Sequence, residues 1–232
     1  MIQRRLSNQV YVGDVPIGGD APVSIQSMTN TDPHDFSATY RQIKALEEAG
    51  CQIIRLTLPD TEAVETVRRL KKTDIKIPLV GDIHFDYRIA LEAAGAGIDK
   101  IRINPGNIGA GGRVKAVATA CKERHIPIRI GVNSGSLEKD ILAKYGSPTA
   151  EALAESALYH ASLLEKCDFG DIVISVKASD VKGMIEANRI LAKKTSYPLH
   201  LGVTEAGGAE AGTVKSAVGI GTMLAEGIGD TV

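Results

Sequence analysis

Paired cysteines are missing from this sequence: Cys51, Cys121 and Cys167 stand far apart, with no Cys-x-x-Cys among them. That excludes a disulfide framework and a four-ligand metal site assembled from this chain alone. Cys121 and Cys167 lie in helix-like surroundings and read as small apolar fillers. Excess charge is missing too, since 27 basic against 28 acidic residues leave a net charge of −1. Bulk attraction to nucleic acid or to a membrane surface is thereby removed, and any cationic chemistry has to come from a few placed residues. No stretch reaches the roughly 18 apolar residues of a membrane span, and "MIQRRLSNQVYVGD" has no apolar run of signal-peptide length. The expectation is a cytoplasmic protein. Aromatic residues make up only 4% of the chain, and 44% hydrophobic residues with 24 glycines fit a globular chain of one large domain or two small ones.

What is present is a rhythm. Short β-rich runs recur at Val23–Met28, Gln52–Leu58, Pro78–Ile83, Lys100–Asn104, Pro127–Val132, Asp171–Lys177 and Pro198–Val203. Between them lie segments of helical spacing, namely Tyr40–Ala49, Thr61–Lys71, Tyr87–Ala94, Gly112–Arg124, Thr149–Glu165, Val181–Lys193 and Gly212–Glu226. Strand alternating with helix means a parallel sheet. Seven units are countable and "GIGDTV" stands where an eighth strand would start. The expected fold class is therefore α/β, a TIM-type (β/α)8 barrel cut at the start of strand eight and read as one domain over residues 1–232. Residues 1–20 read as a hairpin plugging one end. The competing open doubly wound sheet lacks its Gly-x-Gly-x-x-Gly turn after the first strand.

Residues two apart share a strand face. One face carries Val23, Ile25, Ile54, Leu56, Leu79, Ile83, Ile101, Ile103, Ile128, Ile130, Val132, Ile172, Ile174, Val176, Leu199, Leu201 and Val203, as expected beneath a layer of helices. The other face carries Gln26, Met28, Arg55, Thr57, Asp82, His84, Arg102, Asn104, Arg129, Asn133, Ser175, Lys177 and Thr204. A barrel interior is normally Val, Ile and Leu, with chemistry at the C-terminal rim. Here Arg55, Arg102, Arg129 and Lys177, from four strands, converge on one cavity against only Asp82 and Glu205. Like charges in a poorly solvated site repel, so an anion is expected, and arginine forks with a lysine point to phosphate. The bland reading, a barrel-sealing ion network, is short of inward carboxylates. Asp82 and His84 are a possible metal pair with no further ligand nearby. "NPGNIGAGG" can turn amides toward a phosphate but lacks the lysine and hydroxyl of a P-loop. Lys177 also suits imine chemistry. His34, His125, His160 and His200 fall outside the inward set.

The stretches "VSIQSMTNT", "PLVGDIHFDYRIAL", "IRINPGNIG", "IPIRIGVNSGSLEKD", "VISVKASDV", "PLHLGVTEAGGA" and "AEGIGDT", in this order from about Gln3 to Val232, resemble the N-terminal barrel of bacterial 4-hydroxy-3-methylbut-2-enyl diphosphate synthases. These are iron–sulfur oxidoreductases of the methylerythritol phosphate route to isoprenoids. The resemblance implies reductive opening of 2-C-methyl-D-erythritol 2,4-cyclodiphosphate. It places Arg55, His84, Arg102, Arg129, Asn133, Lys177 and Thr204 on the diphosphate, with Asp82 and Asn104 in support. It makes Glu205, in "TEAGG", a catalytic proton donor. It further implies a 4Fe-4S cluster held by three cysteines and a glutamate of a second domain that this sequence does not contain, flavodoxin or ferredoxin as electron donor, and a homodimer of the full-length form. No residue here is assigned to a metal, and the chain alone is expected to bind without turning over. Two rival readings remain, a phosphate-substrate barrel lyase using Lys177 as a Schiff base and a non-catalytic diphosphate-binding module.

Overall fold

Five of the helices open on a side chain that caps their first turn. Asp35, Asp60, Asp86, Thr149 and Asp180 each accept a hydrogen bond from a first-turn N–H of the helix that follows, which satisfies a donor that the helix itself cannot. The computed structural model describes residues 2–109 and 111–232. Strands β1 (Val10–Val12) and β2 (Val15–Ile17) form an antiparallel hairpin. Strands β3 (Gln26–Met28), β4 (Ile53–Thr57), β5 (Leu79–Asp82), β6 (Lys100–Ile103), β7 (Ile128–Asn133) and β8 (Ile172–Lys177) follow and pair in sequence order, all parallel. The crossovers are α1 (Phe36–Glu48), α2 (Thr61–Leu70), α3 (Tyr87–Gly95), α4 (Gly111–Lys122), a short α5 (Lys139–Tyr145) with α6 (Ala150–Glu165), and α7 (Val181–Lys194); α8 (Ala209–Ala225) comes last. The short α5 is not anticipated by the helical spacing, and α1 starts at Phe36 rather than Tyr40 because Asp35 supplies the cap. Among the described residues no helix is long and apolar enough to cross a membrane.

The sheet curls into a closed ring at its last position. Leu199 bridges Ile174, and Thr231 bridges both His200 and Ser24. The seventh expected strand, Pro198–Val203, thus shrinks to single bridges, and the first keeps a ladder only from Gln26. The reason lies in Asp230, which is buried and accepts from the Leu199 N–H at 2.8 Å and the Ser7 hydroxyl at 2.7 Å, with Arg4 and Arg5 at 3.3 and 3.4 Å. A side chain replaces part of the ladder there.

The parity argument holds over the central strands. Ile54, Leu56, Leu79, Ile101, Ile103, Ile128, Ile130, Ile172, Ile174 and Val176 are buried in one core beneath the helices. One expected outer residue departs from it: Ile25, just before the β3 ladder, is 53% exposed. Val203 packs against this core beside Gly219 of α8, as its parity predicts, and also borders the cavity. At the strand N-terminal end, Val10, Val12 and Ile17 of the hairpin pack on Ile53, Val80 and Val173. These last three share the parity of Arg55, Asp82 and Arg129, so the hairpin stands against the lumen face.

Candidate functional site

Register places the charges side by side. Asp82 pairs with Arg102, Arg102 with Arg129, and Asn133 with Lys177 across neighbouring strands. At the strand C-terminal end a cavity of about 410 Å³ is lined by Arg55, Asp82, His84, Arg102, Arg129 and Asn133, and across from them by Lys177, Thr204 and Glu205. Nine of the ten residues picked from the sequence therefore meet in one place. The tenth, Asn104, sits just above Arg102, 3% exposed and outside the lining, with both atoms of its side-chain amide buried and unpartnered. Ser175 and Val203 complete the wall. Ser175 donates to the Ile130 carbonyl and accepts from Arg129 Nη1 at 3.0 Å.

Asp82 is the hub. Arg102 Nη1 donates to its Oδ1 at 3.0 Å, Arg55 Nε stands 3.6 Å from Oδ2, and His84 Nε2 lies 3.8 Å from Oδ1. Burial works to raise this carboxyl, but Arg102, Arg55 and Arg129 outweigh it and hold the group below the usual carboxylate range. One carboxylate cannot serve three guanidinium groups. Arg129, only 1% exposed, keeps Nε and Nη2 without partners, and Arg102 keeps Nε without one. Buried donors left open carry a cost that a bound acceptor would remove. The Lys177 side-chain amine makes no hydrogen bond among the described residues; burial first, then Arg129, Arg55 and Arg102, lower its pKa to about 7 against the pull of Asp82. With Asp82 taken up by arginines, it is no ready metal ligand. Among the described residues no cluster of three or more His, Cys, Asp or Glu could hold a metal ion.

The rim adds a backbone feature. Glu205 is exposed and adopts φ +50, an unusual conformation for a residue with a side chain. It is the only lining carboxylate besides Asp82.

Below the cavity lie two residues that the inward set omitted. Lys100 is fully buried and donates to Gln26 Oε1 at 3.0 Å. His200 is also buried, and burial together with Arg129, Lys177, Lys100 and Arg55 pushes its pKa well below the usual value. Its exclusion from the lumen is corrected here: it has the parity of Ser24 and Arg102, and its charged neighbours are those of the barrel interior. The parity that found Arg102 also points to Lys100, two residues before it. The other histidines behave differently. His34 is exposed and bonded to Asp32 and Asp60, His125 is exposed, and His160 is buried in α6.

Arg102 can lie flat across β7 only because residue 131 is glycine. A Cβ there would come within 2.3 Å of Arg102 Nε and 2.7 Å of Nη2, where the guanidinium also donates to the Gly131 carbonyl. Gly131→Ala is expected to push Arg102 off Asp82, costing about 1–3 kcal/mol of stability and roughly tenfold in anion affinity. Thermal denaturation and calorimetry on the variant check this; an unchanged melting temperature and affinity would refute it.

The family described as the GcpE TIM-barrel domain matches residues 7–232. A 4-hydroxy-3-methylbut-2-en-1-yl diphosphate synthase (flavodoxin) of Ectopseudomonas mendocina strain ymp is 59% identical over 231 residues, covering 100% of this chain and 62% of the relative. Its namesake from Symbiobacterium thermophilum is 60% identical over 232 residues, with the same coverage. The chain thus spans about three-fifths of the length of the curated relatives it matches. Among solved structures, a dihydropteroate synthase of Yersinia pestis is 12% identical with a TM-score of 0.64, over 97% of this chain and 92% of that one, a likeness of fold alone.

Proposed function

Because this chain belongs to the GcpE TIM-barrel domain family, we propose that it is the substrate-binding barrel of a 4-hydroxy-3-methylbut-2-en-1-yl diphosphate synthase and that its cavity receives 2-C-methyl-D-erythritol 2,4-cyclodiphosphate. The observation that carries the reading is the excess of buried cations: Arg55, Arg102, Arg129 and Lys177 line one cavity with two carboxylates, and three guanidinium nitrogens have no partner. A diphosphate offers acceptor oxygens on two adjacent phosphorus atoms, suited to two arginine forks and a lysine at once. In this reading Asn133, His84 and Thr204 contact the same group, and Asn104 supports it. Opening the ring consumes two electrons and releases water, giving a linear diphosphate that the same cations hold.

The residues of this chain do not fit a 4Fe-4S cluster. Cys51 follows α1, Cys121 is buried on α4 with its thiol pushed up to about 12 by burial, and Cys167 follows α6. The redox step is accordingly assigned outside these residues, with flavodoxin, the reductant in the relatives' name, as electron donor to a cytoplasmic, homodimeric full-length enzyme. This chain's own part is to bind the diphosphate and, at Glu205, to hold a proton over it.

A second reading draws on Lys177, whose amine is partly neutral near pH 7 and could form an imine with a carbonyl substrate. Borohydride trapping of a carbonyl on Lys177 would favour it.

Titration of the chain with pyrophosphate and with the cyclodiphosphate tests the main reading. At pH 8 the empty-site Lys177, with its pKa at about 7, is mostly neutral. A bound anion favours its charged form, so binding should take up close to one proton and should weaken as pH rises further. Calorimetry in two buffers of different ionisation heat reads this directly. In the empty chain the sign is opposite for folding: between about pH 7 and the ordinary value of 10.5 the unfolded lysine holds a proton the folded one lacks, so stability should rise with pH there. No binding of either diphosphate at millimolar concentration would end the proposal.

A further inference from the structure

We infer that His160 and Glu138, neither of which lines the cation-ringed cavity, are positioning residues that pin the turn after β6 and through it Asn104; the inference rests on the diphosphate reading above. His160 lies in α6 and is fully buried. Its Nδ1 is 3.1 Å from the Gly106 N–H. A backbone N–H can only donate, so Nδ1 accepts and the ring proton sits on Nε2. That nitrogen is in contact with Glu138 Oε1, and neither atom has another polar partner. Burial lowers the imidazole pKa against the pull of Glu138, consistent with a neutral ring in this tautomer. One side chain of the outer helical layer thus joins the loops that follow β6 and β7, the strands carrying Arg102 and Arg129.

The turn it holds is short. The Asn107 N–H donates to the Asn104 carbonyl at 2.9 Å, so Asn104, Pro105, Gly106 and Asn107 form a β-turn with proline at its second position, where its fixed φ suits the geometry. Ile108, 1% exposed, anchors the far side. The turn's inner amide, that of Gly106, is the one His160 accepts. Glycine stands there for space: a Cβ would meet His160 Cε1 at 2.5 Å. Asn104 opens this turn at the top of β6, two residues beyond Arg102 on the same face, with its buried amide unpartnered. Fixing Gly106 therefore fixes the direction in which that amide is offered.

The two bonds of the ring can be removed separately. In His160→Asn an amide oxygen can take the place of Nδ1 and accept from Gly106, whereas His160→Gln keeps a polar group toward Glu138 and loses that acceptor. Glu138→Leu, on the loop rather than in the core, removes the orienting acceptor and serves if the histidine variants fold poorly; Glu138→Gln retains an oxygen for Nε2. Hydrogen exchange over residues 104–109 and calorimetric titration with the cyclodiphosphate are the readouts, with melting temperature alongside. His160→Gln and Glu138→Leu should speed exchange at Gly106 and weaken binding by roughly tenfold, as for one lost buried hydrogen bond. His160→Asn and Glu138→Gln should stay within about threefold of the unaltered chain, less than one hydrogen bond's worth. A folded His160→Gln or Glu138→Leu chain with unchanged exchange and affinity would overturn the inference. So would equal losses in His160→Asn and His160→Gln that follow melting temperature alone. If the unaltered chain binds no diphosphate, the site reading falls, and exchange at Gly106 by itself decides for or against the latch.

Discussion

Replacing Arg102 by Met should weaken diphosphate binding roughly ten- to a hundredfold while the barrel stays folded, because a charge-assisted contact contributes about 1.5–3 kcal/mol. Folding tolerates the change for a reason visible in the site. Asp82 loses its 3.0 Å partner but keeps Arg55 at 3.6 Å, and Arg129 and Lys177 each lose a repelling neighbour. The second effect follows from the first: with one cation fewer beside it, Lys177 should hold its proton to higher pH, and proton uptake on binding at pH 8 should shrink. Calorimetry at two pH values, with melting temperature as the control, measures both. A variant that binds as tightly as the unaltered chain would mean that Arg102 serves Asp82 and Gly131 only, as a structural strut.

Glu205→Gln should behave in the opposite way, leaving binding intact and removing turnover. Asp82 is held by two arginines, so the proposed function assigns proton delivery to Glu205, the other lining carboxylate. Glutamine keeps its shape and hydrogen bonding but carries no charge and can neither take up nor deliver a proton. Diphosphate affinity in this chain should hold or rise slightly, one negative charge having left the mouth of an anion site. In the full-length protein assayed with reduced flavodoxin, turnover should fall by about a hundredfold or more, as for the loss of a general acid. The fall should be far larger than any rise in KM, since the group acts chiefly in the transition state. Lost binding with normal turnover of whatever binds would return Glu205 to the role of an ion partner for the arginines.

Most of this architecture is legible in the sequence, because a parallel barrel writes its two faces into alternate residues. The Ile-rich outer face and the cationic lumen face separate cleanly wherever a strand is a real ladder, as in β7 and β8. Parity says less where the ladder stops: Ile25, just outside β3, is 53% exposed, and beyond His200 the chain is no longer a strand and the Asp230 side chain takes over a backbone donor. Lys100 and His200 were missed for a different reason: a lone lysine at a strand start or a lone histidine gives no hint that its depth in the lumen removes it from water. His160 could not have been found at all, since its role depends on two loops meeting over α6. The strained backbone of Glu205 is equally silent in the sequence.

The hairpin formed by β1 and β2 has a consequence for traffic. With Val10, Val12 and Ile17 seated on Ile53, Val80 and Val173, apolar side chains fill the barrel at its strand N-terminal end, so an occupant of the cationic chamber is expected to come and go at the opposite end. Whatever enters must back out the way it came, past His84 and Glu205 at the threshold. Arrival and departure therefore cannot overlap, and each occupant shields the arginines from the next until it has gone.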